Sequence, residues 1–61
     1  MKQPLKDNWG KIIGWTDEQG NRTWLTDENG TRLGYYDENY NQTFDQNGRK
    51  VGDGNILGTL L

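Results

Sequence analysis

Between residues 10 and 54 the apolar residues come singly or in pairs between polar stretches: Ile12-Ile13, Trp15, Trp24-Leu25, Leu33, Tyr35-Tyr36, Tyr40, Phe44 and Val51. β-Branched and aromatic residues sit in short runs bounded by Gly, Asn and Asp. That pattern reads as strands joined by tight turns. It also recurs. Gly-x-x-aliphatic-Gly occurs as Gly10–Gly14, Gly30–Gly34 and Gly48–Gly52, and the stretch Trp15–Trp24 aligns without a gap on Tyr35–Phe44. Self-similarity at 20 and then 18 residues marks a repeated strand-and-turn unit.

Asn29-Gly30 and Asn47-Gly48 are strong hairpin signals, because a type I′ turn needs positive φ at both central residues. If each is a two-residue loop, Asp27 faces Arg32, Trp24 faces Tyr35, Asp45 faces Lys50 and Phe44 faces Val51. A three-residue loop with a bulge at each glycine is the alternative, and it sets Trp24 over Gly34. The stretches Glu18–Asn21 and Glu38–Asn41 fit closed loops, with Asp17 opposite Arg22 and Asp37 opposite Gln42.

Carried across the sheet, the two-residue pairing places Trp15, Trp24, Tyr35, Phe44 and Val51 in one row on one face. A one-residue slip would scatter that row over both faces. Gly14, Leu25, Gly34, Thr43 and Gly52 fall on the other face. The expected fold is therefore all-β, an antiparallel meander of about five short strands. The three glycines that interrupt strands imply a bulge, strong curvature, or the close approach of another group.

The ends differ from the repeat. Residues 1–9 read as a polar N-terminal arm containing Pro4, residues 10–54 as the β-repeat domain, and residues 55–61 as an apolar C-terminal segment. In that segment Ile56/Leu60 and Leu57/Leu61 are four apart, which fits a short helix capped by Asn55. A sixth strand or an extended tail is the other reading.

Composition narrows the chemistry. The chain has 61 residues, 30% of them hydrophobic, and no Cys or His. At this size a lone core is marginal, and small proteins add disulfides, a metal or a partner. Thiolate and imidazole metal sites are absent from the inventory, and so are Ser, Cys and His nucleophile arrangements. No cofactor is expected. Asp27-Glu-Asn-Gly30 and Asp45-Gln-Asn-Gly48 echo calcium loops but lack the further acid such loops carry, and read as turns. Asp17/Glu18 and Asp37/Glu38 are paired acids at turns, where solvated carboxylates are the rule, so an enzyme is not expected. Three glycosylation sequons, beginning at Asn21, Asn29 and Asn41, read as coincidence, because no secretion signal accompanies them.

With a net charge of −2 and scattered cations, nucleic acid is not an expected partner. Neither is a membrane. A cytoplasmic location is the default. The aromatic row Trp15, Trp24, Tyr35 and Phe44 has two readings: a core covered by the C-terminal leucines or by another subunit, or a platform on which sugars stack. The tail residues Ile56, Leu57, Leu60 and Leu61 are the expected contacts of a homo-oligomer, a dimer first. A protein partner is the alternative.

The unit Asp-x-Asn-Gly-x-x-[Leu/Val]-Gly, followed at the second copy by Tyr35-Tyr36-Asp37, resembles the Tyr-Asp-type β-hairpin repeats of bacterial and phage proteins, including small "β-flower" proteins. The resemblance spans about residues 9–54. It implies a hairpin-repeat fold of bacterial or phage origin without an assigned function, and it transfers no site residue. The expected role is non-catalytic binding or assembly, with a carbohydrate-binding module and a phage inhibitor of a host protein as alternatives.

Overall fold

A computed structural model describes all 61 residues. The chain is an antiparallel meander of six strands: β1 (Lys2–Lys6), β2 (Ile12–Gln19), β3 (Arg22–Asp27), β4 (Arg32–Asp37), β5 (Gln42–Asp45) and β6 (Lys50–Asp53). Neighbours in sequence are neighbours in the sheet, and a 3₁₀ turn at Leu57–Leu60 ends the chain. The strand beyond the expected five is β1. Residues 2–6 are not a free arm but pair with β2, Gln3 with Thr16 and Leu5 with Gly14.

The reason lies at Asp7, which stands three residues before Gly10 as Asp27 stands before Gly30 and Asp45 before Gly48. Each aspartate closes its turn in the same way. The Asp7, Asp27 and Asp45 carbonyls accept from Gly10, Gly30 and Gly48 N–H at 3.0–3.1 Å. Each carboxylate then takes two further backbone N–H groups, as Asp27 takes those of Asn29 at 2.8 Å and Thr31 at 2.9 Å. The molecule is three copies of one hairpin, and the first begins inside the segment read as an arm.

These turns are three-residue loops with the glycine at positive φ (Gly30 at 89°), not the two-residue loops the Asn-Gly pairs suggest. The alternative loop would have put Trp24 over Gly34. It does not, because a second bulge follows at Leu33: Thr26 faces Arg32, Leu25 faces Gly34 and Trp24 faces Tyr35. The two offsets cancel. The same bulge recurs at Ile13 and Val51, so Phe44 faces Lys50 rather than Val51. The expected Asp27–Arg32 and Asp45–Lys50 pairings are replaced accordingly, and Lys50 instead meets Asp53 at 3.0 Å.

The β2–β3 connection is the tight one. Gln19 faces Arg22, and the two turn residues are Gly20 (φ 60°) and Asn21. Asp17 therefore lies opposite Trp24, not Arg22, and Trp15 lies opposite Thr26. The β4–β5 loop does set Asp37 opposite Gln42.

The buried side is the glycine side. Leu25 is fully buried, Leu57 nearly so, and Thr43, Gly14 and Gly34 join them. The C-terminal segment folds back over this face. A Cβ at Gly14 would meet Leu61 at 3.1 Å, one at Gly34 would meet Leu60 at 2.6 Å, and one at Gly52 would meet Ile56 at 2.7 Å. The recurring glycines thus leave room for the chain's own tail. Thr43 anchors it: the hydroxyl donates to the Gly54 carbonyl at 2.7 Å and accepts from Ile56 N–H at 3.1 Å. Asn55 does not cap the 3₁₀ turn through the N-cap position, which is Ile56, although its Oδ1 accepts from Leu57 N–H at 3.3 Å.

Candidate functional site

Strand alternation puts Trp24, Tyr35 and Phe44 on the opposite face from Leu25, Gly34 and Thr43. The tail lies on the glycine face and does not cover the aromatic residues; Trp15, Trp24, Tyr35 and Phe44 are all half-buried. The C-terminal leucines are therefore not what covers the row. The row is real from β3 to β5. Trp24 and Tyr35 have ring centroids 4.8 Å apart with planes tilted by 46°, and Tyr35 stacks on Phe44 at 5.0 Å and 22°. Cross-strand aromatic pairs of this kind contribute about 0.5–1.5 kcal/mol each beyond area burial. Trp15 is on the same face but displaced by two residues, opposite Thr26, and Val51 drops out of the row at its bulge.

Cations complete the face. The Arg32 guanidinium lies 4.2 Å from the Trp24 ring centroid, and Arg22 lies 4.5 Å from Tyr35 and 5.8 Å from Trp24. Lys2 lies 5.2 Å from Trp15. Arg22 pairs across the strands with Asp37, whose side chain is only 7% exposed and whose Oδ2 is 3.5 Å from the Arg22 Nε. A planar guanidinium stacks on rings and pairs with a carboxylate at once, which an ammonium group does less well.

These cations were legible by position. Arg22 is two residues from Trp24 on one strand and so shares its face; only the wrong partner for Asp17 concealed it. A two-residue turn would pair Arg32 with Asp27, whereas the bulge at Leu33 sets it opposite Thr26 and over Trp24.

The ring faces are largely occupied. Tyr35 is flanked by Trp24, Phe44 and Arg22, and Trp24 by Tyr35 and Arg32. The Trp24 and Tyr35 planes are thus engaged within the chain, while Phe44 has one ring neighbour, Tyr35, and Trp15 has Lys2 over its ring. Two further aromatics, Trp9 (88% exposed) and Tyr40 (69%), stand at turns apart from the row. The surface has no pocket, and no group of three or more acids is placed to hold a metal ion. No helix is long and apolar enough to cross a membrane.

The tail residues Ile56, Leu60 and Leu61 reach their own sheet, and Leu57 is buried there. No protein-family model, curated protein or solved structure matches the chain.

Proposed function

We propose that this chain is a non-catalytic binding or assembly module whose contact surface is the aromatic and arginine face of its sheet, and whose ligand is a protein surface. One observation carries this: the tail closes one face with aliphatic side chains, while the face with Trp24, Tyr35, Phe44, Arg22 and Arg32 is left uncovered. Trp, Tyr and Arg are the residues that dominate binding energy at protein interfaces. A sugar platform would use free ring planes, whereas the Trp24 and Tyr35 planes lie against each other and against guanidinium groups.

A photo-crosslinking residue placed at Gln42, on the aromatic face, tests the reading in living cells. Adducts to protein are expected there, and none from the same residue at Glu18, on the other face. Adducts from position 18 alone would overturn it. So would shifts of the Trp24 and Tyr35 ring signals on titrating soluble oligosaccharides, which would favour the carbohydrate reading.

A further inference from the structure

We propose that Asn29 and Asn47 are self-modification sites, converted to aspartate and isoaspartate when their hairpins open, and that the aspartate-closed turns hold this reaction off in the folded chain. The proposal is independent of what the aromatic face meets.

The chemistry is set by the residue that follows each asparagine. Of the chain's seven asparagines only Asn29 and Asn47 precede glycine, and both lie exposed at hairpin tips. A glycine nitrogen has no side chain beside it to hinder its attack on the preceding residue. The Gly30 backbone nitrogen bonds the Asn29 Cγ and gives up its proton. The bond from Cγ to the side-chain nitrogen breaks, and that nitrogen leaves with the proton as ammonia. Water then opens the cyclic imide at either carbonyl. One opening gives aspartate, and the other gives isoaspartate, in which the side-chain carbons have joined the backbone. Asn47 and Gly48 react in the same way.

The folded turn opposes this step. The nitrogen that must lose its proton is engaged: Gly30 N–H donates to the Asp27 carbonyl at 3.1 Å, and Gly48 N–H to the Asp45 carbonyl at 3.0 Å. The Asp27 carboxylate accepts from the residues on either side of Gly30, Asn29 N–H at 2.8 Å and Thr31 N–H at 2.9 Å. Asp45 does the same for Asn47 and Arg49, at 2.9 Å each. These bonds fix the backbone around the reacting nitrogen, and a negative charge beside it disfavours a second anion there.

Reaction therefore proceeds from the opened turn, and exposed hairpin tips open locally at little cost. The two hairpins differ in support. Strands β3 and β4 are paired on both sides, whereas β6 ends the sheet with Lys50 and Val51 exposed. Asn47 is thus less protected than Asn29. The first hairpin is a control within the chain, because the same turn there carries Asn8-Trp9, where the bulky residue hinders attack. Isoaspartate adds a backbone atom inside a loop whose length the Asp27–Gly30 bond fixes, so a hairpin that has reacted does not reclose as before. Each event also adds one negative charge to the −2 of the intact chain.

The test incubates the intact chain at mildly alkaline pH, folded and in guanidinium chloride, and maps products by mass spectrometry with fragmentation that separates isoaspartate from aspartate. Each site should react at least about tenfold more slowly folded than denatured, Asn29 being the more protected, with Asn8 unchanged throughout. Asp27→Ala should speed Asn29 by about fivefold and leave Asn47 little changed, and Asp45→Ala should do the reverse. Asparagine that stays unmodified in denaturant would overturn the sites. Equal folded and denatured rates would overturn the restraint, and Asn29 less protected than Asn47 would overturn its origin in local opening. Acceleration of both sites alike by either variant would overturn the assignment of each aspartate to its own turn.

Discussion

Leu60 lies directly over Gly34: its Cδ1 is 2.6 Å from the point a Cβ would occupy there. On its other side that point collides with the Phe44 backbone carbonyl, which has no freedom to move. Gly34→Ala should therefore cost about 2–3 kcal/mol through overpacking. At Gly52 the nearest obstacle is the end of the Ile56 side chain, at 2.7 Å, and that can rotate away. Gly52→Ala should cost less than about 1 kcal/mol. Denaturant melts of the two variants check the order, and equal losses would contradict the packing described.

Thr43 joins sheet to tail through one hydroxyl. Thr43→Val keeps the shape but strands the Ile56 N–H and the Gly54 carbonyl, an expected loss of about 1–3 kcal/mol. Amide exchange should speed up through residues 55–61 before it does so in β2–β4. Unchanged protection of Ile56 would show that the hydroxyl does not hold the tail.

Asp27 satisfies two backbone N–H groups with one carboxylate oxygen. Asp27→Ala should cost about 1 kcal/mol, while Asp27→Asn, which keeps the acceptor, should cost only a few tenths. In a domain of this size about 1 kcal/mol corresponds to roughly 4–8 °C in melting temperature. Asp7→Ala should behave alike, because it closes the same turn. A Tm at position 7 insensitive to the change would mean β1 is not part of the cooperative unit.

Leu57 is one of two buried hydrophobic residues, and Leu57→Ala should cost about 2–4 kcal/mol. For so small a chain that is enough to unfold much of the population, visible as loss of β signal in circular dichroism. A variant that melts like the parent would remove the tail from the core.

The register is checked by cross-strand proton contacts. Trp24–Tyr35 and Tyr35–Phe44 contacts are expected, together with Trp15–Thr26 and Asp17–Trp24. A strong Trp15–Trp24 contact directly across the strands would restore the four-residue β2–β3 loop and shift β1–β2 relative to the rest.

By itself the sequence determined the all-β class, the hairpin repeat, the sharing of one face by Trp24, Tyr35 and Phe44, and the placement of Gly14, Gly34 and Gly52 on the other. Alternation with period two and turn residues are local properties, so a linear reading reaches them. The first hairpin was also legible in Asp7–Gly14, but Trp9 stands where the later copies carry Asn, and the missing Asn-Gly pair hid it. Turn length was not legible. Asn-Gly is compatible with two loop geometries, and the choice depends on the Asp side chain and on a compensating bulge four to six residues away in the same hairpin, at Ile13, Leu33 and Val51. Which face became the core was decided only by tertiary structure. Both faces carry apolar residues, and the tail can cover only one. The glycine side lets a backbone and four aliphatic side chains approach closely, whereas the other side is already filled by rings stacked on rings and arginines stacked on rings. Close packing favours the flatter surface, and that choice leaves the aromatic face open.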